Sequence, residues 1–292
     1  MKKNQKNSSH SVLKSILDNT FLPNYNSIQQ YFNENNLVYN DEAKIDGGFT
    51  LNFCPSEVMI GSSLVGKELF EKNLKTQPED WYYRTHPVKY TLNSSGYRTR
   101  EFDDIDWKES IVMFGCSFVF GTGVTDEHTV PYFLEQLSGR PVINMGIPRS
   151  SIQTALHNSI ILSDSEYPTP KAVVYLWIYL SRSHIYENKY INYMGDWNVN
   201  KNIQTCSNVE NTIPFNLMNI KMIRNLWKNK TIYYEGDWIN EFQLINKLDD
   251  EVYCHSVDFR DDLARDLSHS GTISNHNVAK KIYEKIKPQL YN

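Results

Sequence analysis

The feature that most constrains the fold is an uninterrupted apolar run, AVVYLWIYL, at residues 172–180. Two shorter apolar runs precede it, SIVMF at residues 110–114 and PVINMG at residues 141–146, and helix-like segments separate the three. Strands that are apolar throughout must be covered on both faces, and their alternation with helices is typical of a parallel sheet. The pattern therefore predicts a mixed α/β domain.

We expect this domain to occupy residues 109–292 as a three-layer α/β/α sandwich around a mostly parallel five-stranded sheet. An insertion at about residues 183–213, rich in Asn, Tyr and Trp, interrupts the alternation. The last helix is predicted at residues 274–287, with Pro288 as its stop. Residues 1–108 are irregular and rich in turns, and we interpret them as an N-terminal accessory region that begins with about ten disordered residues.

Composition excludes several classes of protein. Hydrophobic residues make up 40% of the chain and charged residues 22%, which is a globular balance, and the net charge of −4 offers no basic field for nucleic acid. The basic N-terminus lacks the apolar core of a signal peptide, and no apolar stretch is long enough to span a bilayer. The four cysteines form no CxxC pair. We therefore expect a cytoplasmic protein with no metal or organic cofactor and no nucleic-acid or membrane partner; the oligomeric state stays open.

A first candidate motif is FGCSFVFGTG, in which Ser117 follows the first predicted strand of the sheet. A hydroxyl at the carboxyl end of a parallel strand lies in the crevice where open α/β sheets bind ligands. Flanking glycines let a substrate approach the backbone, whose N–H groups can stabilise an oxyanion. A plain glycine-rich turn without function fits the same letters. Cys116 is expected to be buried and to point away from Ser117, because neighbouring side chains alternate along an extended chain.

A second candidate motif, ARDLSHSG, precedes the last predicted helix and carries Asp266 and His269. A serine hydroxyl is a weak nucleophile until a base takes its proton, and a carboxylate fixes the tautomer of the imidazole. The alternative interpretation is a surface aspartate near a surface histidine. Acidity alone does not single out Asp266, since Asp258, Asp261 and Asp262 lie nearby.

In their order along the chain, these motifs resemble the SGNH/GDSL hydrolases, a family of serine esterases and acetylesterases with a flavodoxin-like fold. The first block of the family is matched by the Gly-Cys-Ser sequence that ends at Ser117, the second by Gly146, and the last by Asp266 and His269. The resemblance implies that Ser117 is the nucleophile, His269 its base and Asp266 the orienting acid. It also implies that the amides of Ser117 and Gly146 form the oxyanion hole. The segment LNSSGYRTREF is similar to a lead-in found ahead of some SGNH domains.

The third block of the family departs from this match. Its Asn donates into the oxyanion hole, but the segment WIYLSRSHIY has no Asn at that place. Ser181 or Arg182 falls at that place, as a third oxyanion donor or a substrate contact. Alternatively, Asn188 supplies the third donor, or the oxyanion hole has only two donors. Arg182 also suits an anionic substrate. His184 is either a rival base or an ordinary loop histidine.

The predicted function is hydrolysis of an ester through a Ser-His-Asp acyl-enzyme. The substrate is a small-molecule or glycan ester, and the 19 Tyr and 6 Trp favour O-acetyl groups on a carbohydrate, because aromatic rings stack on sugars. The same rings also suit an ordinary core. Two alternatives stay open: an acyltransferase on the same scaffold, and a non-catalytic module that binds a glycan or a protein with a degenerate site.

Overall fold

The structure is a computed structural model that describes most of the chain from residue 71 onward. Predictions for the N-terminal residues, Ser181, Asn188, Asp258 and Asp266 lie outside the described residues. These are 49–52, 71–72, 74–86, 88–148, 150–177, 180, 182–187, 190–194, 209–228, 231–236, 254–256, 261–265 and 269–291.

Within these residues strands and helices alternate from β3 to β5, as the apolar runs predict. The strands are β1 (Phe49–Asn52), β2 (Lys89–Leu92), β3 (Ile111–Gly115), β4 (Val142–Gly146), β5 (Ala172–Trp177), β6 (Ser183–Glu187), β7 (Tyr190–Met194), β8 (Thr231–Gly236) and β9 (Cys254–Ser256). The α-helices are α1 (Ser117–Phe120), α2 (Val130–Ser138), α3 (Ile152–Asp164), α4 (Val209–Leu226) and α5 (Thr272–Leu290). Short 3₁₀ helices lie at Tyr82–Arg84, Phe102–Asp104, Trp107–Glu109 and Asp126–His128.

The main sheet has the strand order β4-β3-β5-β8-β9, and each neighbouring pair is parallel. In the pairing of β3 with β4, Ile111 lies opposite Val142 and Gly115 opposite Gly146. The carboxyl ends of these two strands therefore meet at the same edge of the sheet, where open α/β sheets bind ligands. The prediction of a mixed α/β fold with a parallel sheet is confirmed.

Alternate residues of β3 and β5 enter one of two hydrophobic clusters. Val112 and Phe114 belong to a cluster with residues of α3 and α4, whereas Ile111 and Met113 belong to another with residues of α2 and α5. Successive side chains of a strand point to opposite faces, so both faces of β3 are buried against helices. This double burial explains why the strands are apolar along their whole length.

Part of the predicted accessory region packs on the same core as the sheet. Tyr97, Phe102 and Trp107 are buried in the cluster that contains β3 residues and α3. The Trp107 indole N–H donates to the Phe102 carbonyl at 2.9 Å, which satisfies its polar edge inside the core. Further upstream, β1 and β2 pair in antiparallel fashion.

Two local predictions differ from the structure. The last helix runs to Leu290 and includes Pro288, so the prediction that this proline ends it is wrong. A proline in the last turn removes a single helical hydrogen bond, and Leu290 is fully buried with its carbonyl bonded to Arg140. The predicted insertion contains a regular antiparallel hairpin, β6–β7, rather than only irregular chain. Among the described helices, not one combines the length and the apolar character needed to cross a bilayer.

Candidate active site

Ser117 lies directly beyond β3, as the first residue of the one-turn helix α1, and is 8% exposed. The turn between strand and helix depends on Gly115. A Cβ at this position would lie 2.4 Å from Cγ2 of Val119 and 2.9 Å from the carbonyl oxygen of Leu176. Only a glycine therefore lets α1 fold back onto the end of the sheet, and this fold places the serine hydroxyl at the predicted edge.

Cys116 is buried, as expected, but its side chain does not point away from that of Ser117. Its Sγ lies 3.1 Å from Oγ of Ser117, so the prediction that the two side chains point apart is wrong. Alternation holds along a strand, and it fails here because the chain enters a helix at Ser117. The thiol is thus an immediate neighbour of the candidate nucleophile.

Gly146 ends the neighbouring strand β4, and its N–H donates to Oδ1 of Asn144 at 2.9 Å. The Asn144 amide in turn donates to the carbonyl of Val119 in α1 at 2.9 Å. A Cβ on Gly146 would lie 2.4 Å from the backbone N of Phe120. Glycine is therefore required here by the close approach of β4 to α1. The predicted role of its amide in an oxyanion hole requires release of the Asn144 bond and stays a prediction.

His269 is half-buried and belongs to two short segments that lie side by side, residues 263–265 and 269–270, which together we call the His269 turn. An antiparallel bridge between Leu263 and Ser270 closes it, and the Ala264 N–H donates to the His269 carbonyl at 2.8 Å. The imidazole lies 5.2 Å from the ring of Phe118, the residue after Ser117, measured between ring centroids. The structure thus brings the second motif to the first, although about 150 residues separate them in sequence.

A backbone hydrogen bond holds the two segments together. The Arg265 N–H, in the His269 turn, donates to the carbonyl of Gly123 at 3.1 Å. Gly123 belongs to residues 121–125, which follow α1 and which we call the glycine loop. Its φ of +83° and the φ of +81° at Gly121 explain why this loop needs glycine at both positions.

The acidic residues near His269 have separate roles. The Asp262 carboxylate accepts the N–H groups of Ile273 at 3.1 Å and Ser274 at 2.8 Å, and so caps the start of α5. Asp261 accepts from the side-chain amide of Asn277 at 2.7 Å. Both carboxylates are committed to α5. The predicted orienting acid, Asp266, lies outside the described residues and stays a prediction.

The segment after β5 is anchored by a residue that sequence analysis did not single out. Asn216 of α4 donates its side-chain amide to the carbonyls of Leu180 at 2.8 Å and Arg182 at 2.7 Å. Asn216 is fully buried, and these bonds fix the backbone where the third block was expected. Arg182 is half-buried at this place, and His184 lies in β6. The signal that could have indicated this contact is an Asn at a position where the helical spacing of Ile213 and Ile220 calls for an apolar residue.

A second set of hydrogen bonds connects the His269 turn to α5 and to His128. The Ser270 hydroxyl donates to Oδ1 of Asn275 at 2.5 Å, and the Asn275 amide donates to the carbonyl of His128 at 2.8 Å. The His128 ring lies against Tyr83, with 2.6 Å between Nδ1 and the Tyr83 hydroxyl oxygen. Burial lowers the pKa of His128 below its usual 6.5 and raises the pKa of Tyr83 to about 12. Both groups are therefore neutral at physiological pH.

A cavity of about 300 Å³ lies beside β4, away from the Ser117 hydroxyl. Two ion pairs border it, Arg98 with Asp126 and Arg100 with Glu135. The Glu135 carboxylate also accepts the N–H of Val142 at 2.8 Å, which covers part of the sheet edge. Ser117 and His269 are not among its lining residues, so the candidate chemistry takes place elsewhere. In the described part of the chain, no group of three His, Cys, Asp or Glu side chains is arranged to hold a metal ion.

No known family model matches this chain, and no curated protein matches it. Among solved structures, it is similar to a protein described as a GDSL-like lipase from Bacteroides ovatus, with 14% identity and a TM-score of 0.41 over 70% of this chain and 57% of that one. It is also similar to an acetyl xylan esterase from the rumen bacterium Butyrivibrio proteoclasticus, with 11% identity and a TM-score of 0.41 over 62% of this chain and 64% of that one.

A third similar structure is described as a lipolytic protein of the G-D-S-L family from Desulfitobacterium hafniense. Its identity is 14% and its TM-score 0.38, over 61% of this chain and 99% of that one. The chain spans less than two thirds of the length of the first two structures, at 57% and 64%. Because the likenesses are distant, the functional proposal rests on the residues of the site.

Proposed function

We propose that this chain is an ester hydrolase of the SGNH/GDSL type, with Ser117 as nucleophile and His269 as base, on a three-layer α/β/α sandwich. The main support for the proposal is that the segment around Ser117 and the segment around His269 lie in contact. The His269 turn is bonded to the glycine loop through Arg265 and Gly123, and the imidazole packs beside Phe118. A serine at the end of a parallel strand, with a histidine packed on the residue next to it, supports the Ser-His arrangement that acyl transfer requires.

The mechanism proceeds through a covalent acyl-enzyme. Nε2 of His269 takes the proton of Ser117 as Oγ attacks the ester carbonyl, and Asp266 stabilises the imidazolium. The resulting oxyanion accepts hydrogen bonds from the backbone N–H groups of Ser117 and Gly146. The Gly146 N–H must first give up its hydrogen bond to Asn144. His269 then gives the proton to the leaving alcohol. Water attacks the acyl-enzyme in the same way, releases the acid and restores the serine.

The third oxyanion donor is assigned to the segment that Asn216 anchors. Its bonds to the Leu180 and Arg182 carbonyls hold this backbone at the carboxyl end of β5, next to β3. Ser181 or Arg182 then supplies the group that the missing Asn would have supplied. A single oxyanion donor contributes about 10²–10³ in rate, so such a replacement has a measurable effect on turnover.

The substrate class we favour is an O-acetyl ester on a carbohydrate. The support is the three Tyr and one Trp of the insertion at about residues 183–213, because aromatic rings offer an apolar face to a sugar. The hairpin β6–β7 in this insertion follows directly on the anchored segment after β5. It therefore starts near the end of the sheet where Ser117 lies.

A second candidate function is a non-catalytic binding module with a degenerate site. The bond from the Gly146 amide to Asn144 favours it, because that amide is already satisfied within its own strand. On this interpretation the strand and helix geometry is retained as a scaffold, and the third block has lost its donor.

The test is turnover of p-nitrophenyl acetate by the full chain and by Ser117→Ala. We expect the variant to lose activity by about 10³-fold or more, since loss of any triad member leaves only residual catalysis. Ser110→Ala is the matched control, because Ser110 is also buried, lies at the opposite end of β3 and bonds to the Trp107 carbonyl at 2.7 Å. Equal activity in the wild type and in Ser117→Ala would end the hydrolase proposal and favour the binding module.

A further inference from the structure

The glycine loop is held from two sides at a single residue, Gly123. Its N–H donates to the hydroxyl oxygen of Tyr90 at 2.7 Å, and its carbonyl accepts from the Arg265 N–H at 3.1 Å. Tyr90 belongs to β2 in the N-terminal region, whereas Arg265 belongs to the His269 turn. Gly123 therefore links the N-terminal region directly to the turn that carries the candidate base.

Arg98 holds the same loop through three backbone carbonyls. Its guanidinium donates to Phe120 at 2.9 Å, to Gly121 at 2.7 Å and to Val124 at 2.8 Å. Only 2% of the Arg98 side chain is exposed, and its charge is paired with Asp126. A planar guanidinium with five donors in a fixed geometry can make these bonds together, whereas the single ammonium group of a lysine cannot.

Tyr90 and Arg98 also pack on each other, and we call this pair the clasp. The Arg98 Cζ lies 4.4 Å from the centroid of the Tyr90 ring and 5.4 Å from that of Phe120. The Tyr90 and Phe120 rings are 5.2 Å apart. Cation–π contacts of this kind are stronger where water is excluded, so the clasp is a rigid support for the end of α1.

The position of Ser117 depends on this loop. The carbonyl of Ser117 accepts the N–H groups of Gly121 and Thr122, both at 2.9 Å. Since α1 is a single turn, few other bonds hold it: the Phe120 N–H donates to the Cys116 carbonyl and the Val119 carbonyl accepts from Asn144, both at 2.9 Å. A displacement of the glycine loop is therefore passed to Ser117 on one side and, through Gly123, to the His269 turn on the other.

We propose that Tyr90 and Arg98 are positioning residues that align Ser117 with His269 by holding the glycine loop against the His269 turn. The inference rests on the proposed hydrolase function. Neither residue is assigned a contact with substrate, so their loss lowers kcat and leaves KM nearly unchanged. A misplacement of about 1 Å at a catalytic group costs about a hundredfold in rate. Removal of the single Tyr90 hydroxyl is therefore expected to lower kcat by about tenfold to a hundredfold.

The experiment compares Tyr90→Phe with the matched control Tyr97→Phe. Tyr97 lies in the same region, is equally buried, and its hydroxyl accepts a hydrogen bond from the Asn158 amide at 2.9 Å. Its contacts are in the core, away from the glycine loop. For each variant we would measure kcat and KM with p-nitrophenyl acetate, the rate of labelling by a fluorophosphonate, and the free energy of unfolding by urea.

The expected result is a drop in kcat and in the labelling rate for Tyr90→Phe alone, at a temperature where both variants are fully folded. Equal activity of the two variants would overturn the inference, because loss of a buried hydroxyl bond would then act on stability only. Arg98→Lys is a second variant, which keeps the charge opposite Asp126 but loses the three carbonyl bonds. We expect it to react at least about tenfold more slowly than the wild type, with KM again unchanged.

Failure of the hydrolase proposal can be told apart from failure of this inference. If the wild type neither turns over the ester nor reacts with the fluorophosphonate, the proposed function fails. The role of the clasp in holding the glycine loop is then tested by hydrogen exchange of the folded protein. Faster exchange in residues 117–125 and 261–270 for Tyr90→Phe, but not for Tyr97→Phe, supports the linkage through Gly123. Equal exchange in the two variants overturns it.

Discussion

Replacement of Asp262 by alanine is expected to destabilise the protein by about 2–3 kcal/mol. A typical capping side chain contributes about 1 kcal/mol for one accepted N–H, and this carboxylate accepts two, from Ile273 and Ser274. Its negative charge at the start of α5 adds about 0.3–1 kcal/mol through the helix dipole. Asp262→Asn keeps one oxygen and no charge, so it should lose about half as much.

The assay is urea unfolding followed by tryptophan fluorescence, with Asp261→Ala as the matched control. Asp261 is exposed and bonds to the side chain of Asn277, so its removal should cost less than about 0.5 kcal/mol. The urea dependence of the unfolding free energy should stay the same in all variants. If Asp262→Ala were as stable as Asp261→Ala, the capping interpretation would be refuted.

The activity of Asp262→Ala also distinguishes an acid with a structural role from one with a catalytic role. Because Asp262 is committed to α5, folded Asp262→Ala should keep its esterase activity within about tenfold of the wild type. Asp266→Asn should lower kcat by about 10⁴, the effect of losing the acid that orients a catalytic histidine. The opposite ranking of the two variants would assign the orienting role to Asp262.

Two further predictions concern stability. Gly146→Ala places a Cβ 2.4 Å from the backbone N of Phe120, so β4 and α1 must separate, at a cost of about 1–3 kcal/mol by thermal unfolding; an unchanged melting temperature would contradict this. Burial lowers the pKa of His128 below 6.5, so the unfolded chain binds this proton more readily than the folded one. The free energy of unfolding should therefore be fully retained above that pH and fall as the pH drops below it, through the lowered pKa of the folded state. His128→Asn keeps an acceptor near Nδ1 and should flatten this part of the pH dependence in urea unfolding; a curve identical to that of the wild type would show that another group titrates.

The parallel sheet could be predicted because its cause is local in sequence. A strand that is buried on both faces must be apolar along its length, and β3 and β5 show this in a few consecutive residues. The end of β5 was predicted less accurately, since the apolar run extends to Leu180 and this residue lies in a turn. Leu180 beyond it bonds to Asn216, a residue 36 positions away. Such a partner cannot be found from the pattern of the strand itself.

In the candidate site, too, local sequence predicts some features and distant contacts determine the others. The place of Ser117 followed from a glycine and a serine after an apolar run, and the structure has it at the end of β3. The close approach that requires Gly146 depends on the backbone of Phe120, which belongs to a different βα unit. Arg98 and Tyr90 were assigned to an accessory region, yet they bond to the glycine loop across 23 to 33 positions. Long-range contacts of this kind leave no periodic signal in the sequence.

The central claim is that Ser117 is an activated nucleophile. The most direct measurement is incubation of the intact protein with a fluorophosphonate, followed by digestion and tandem mass spectrometry to locate the adduct. We expect one adduct, on Ser117, which forms much more slowly in His269→Ala. A folded protein that gains no adduct, or gains it on another residue such as the nearby Ser150, would contradict the account.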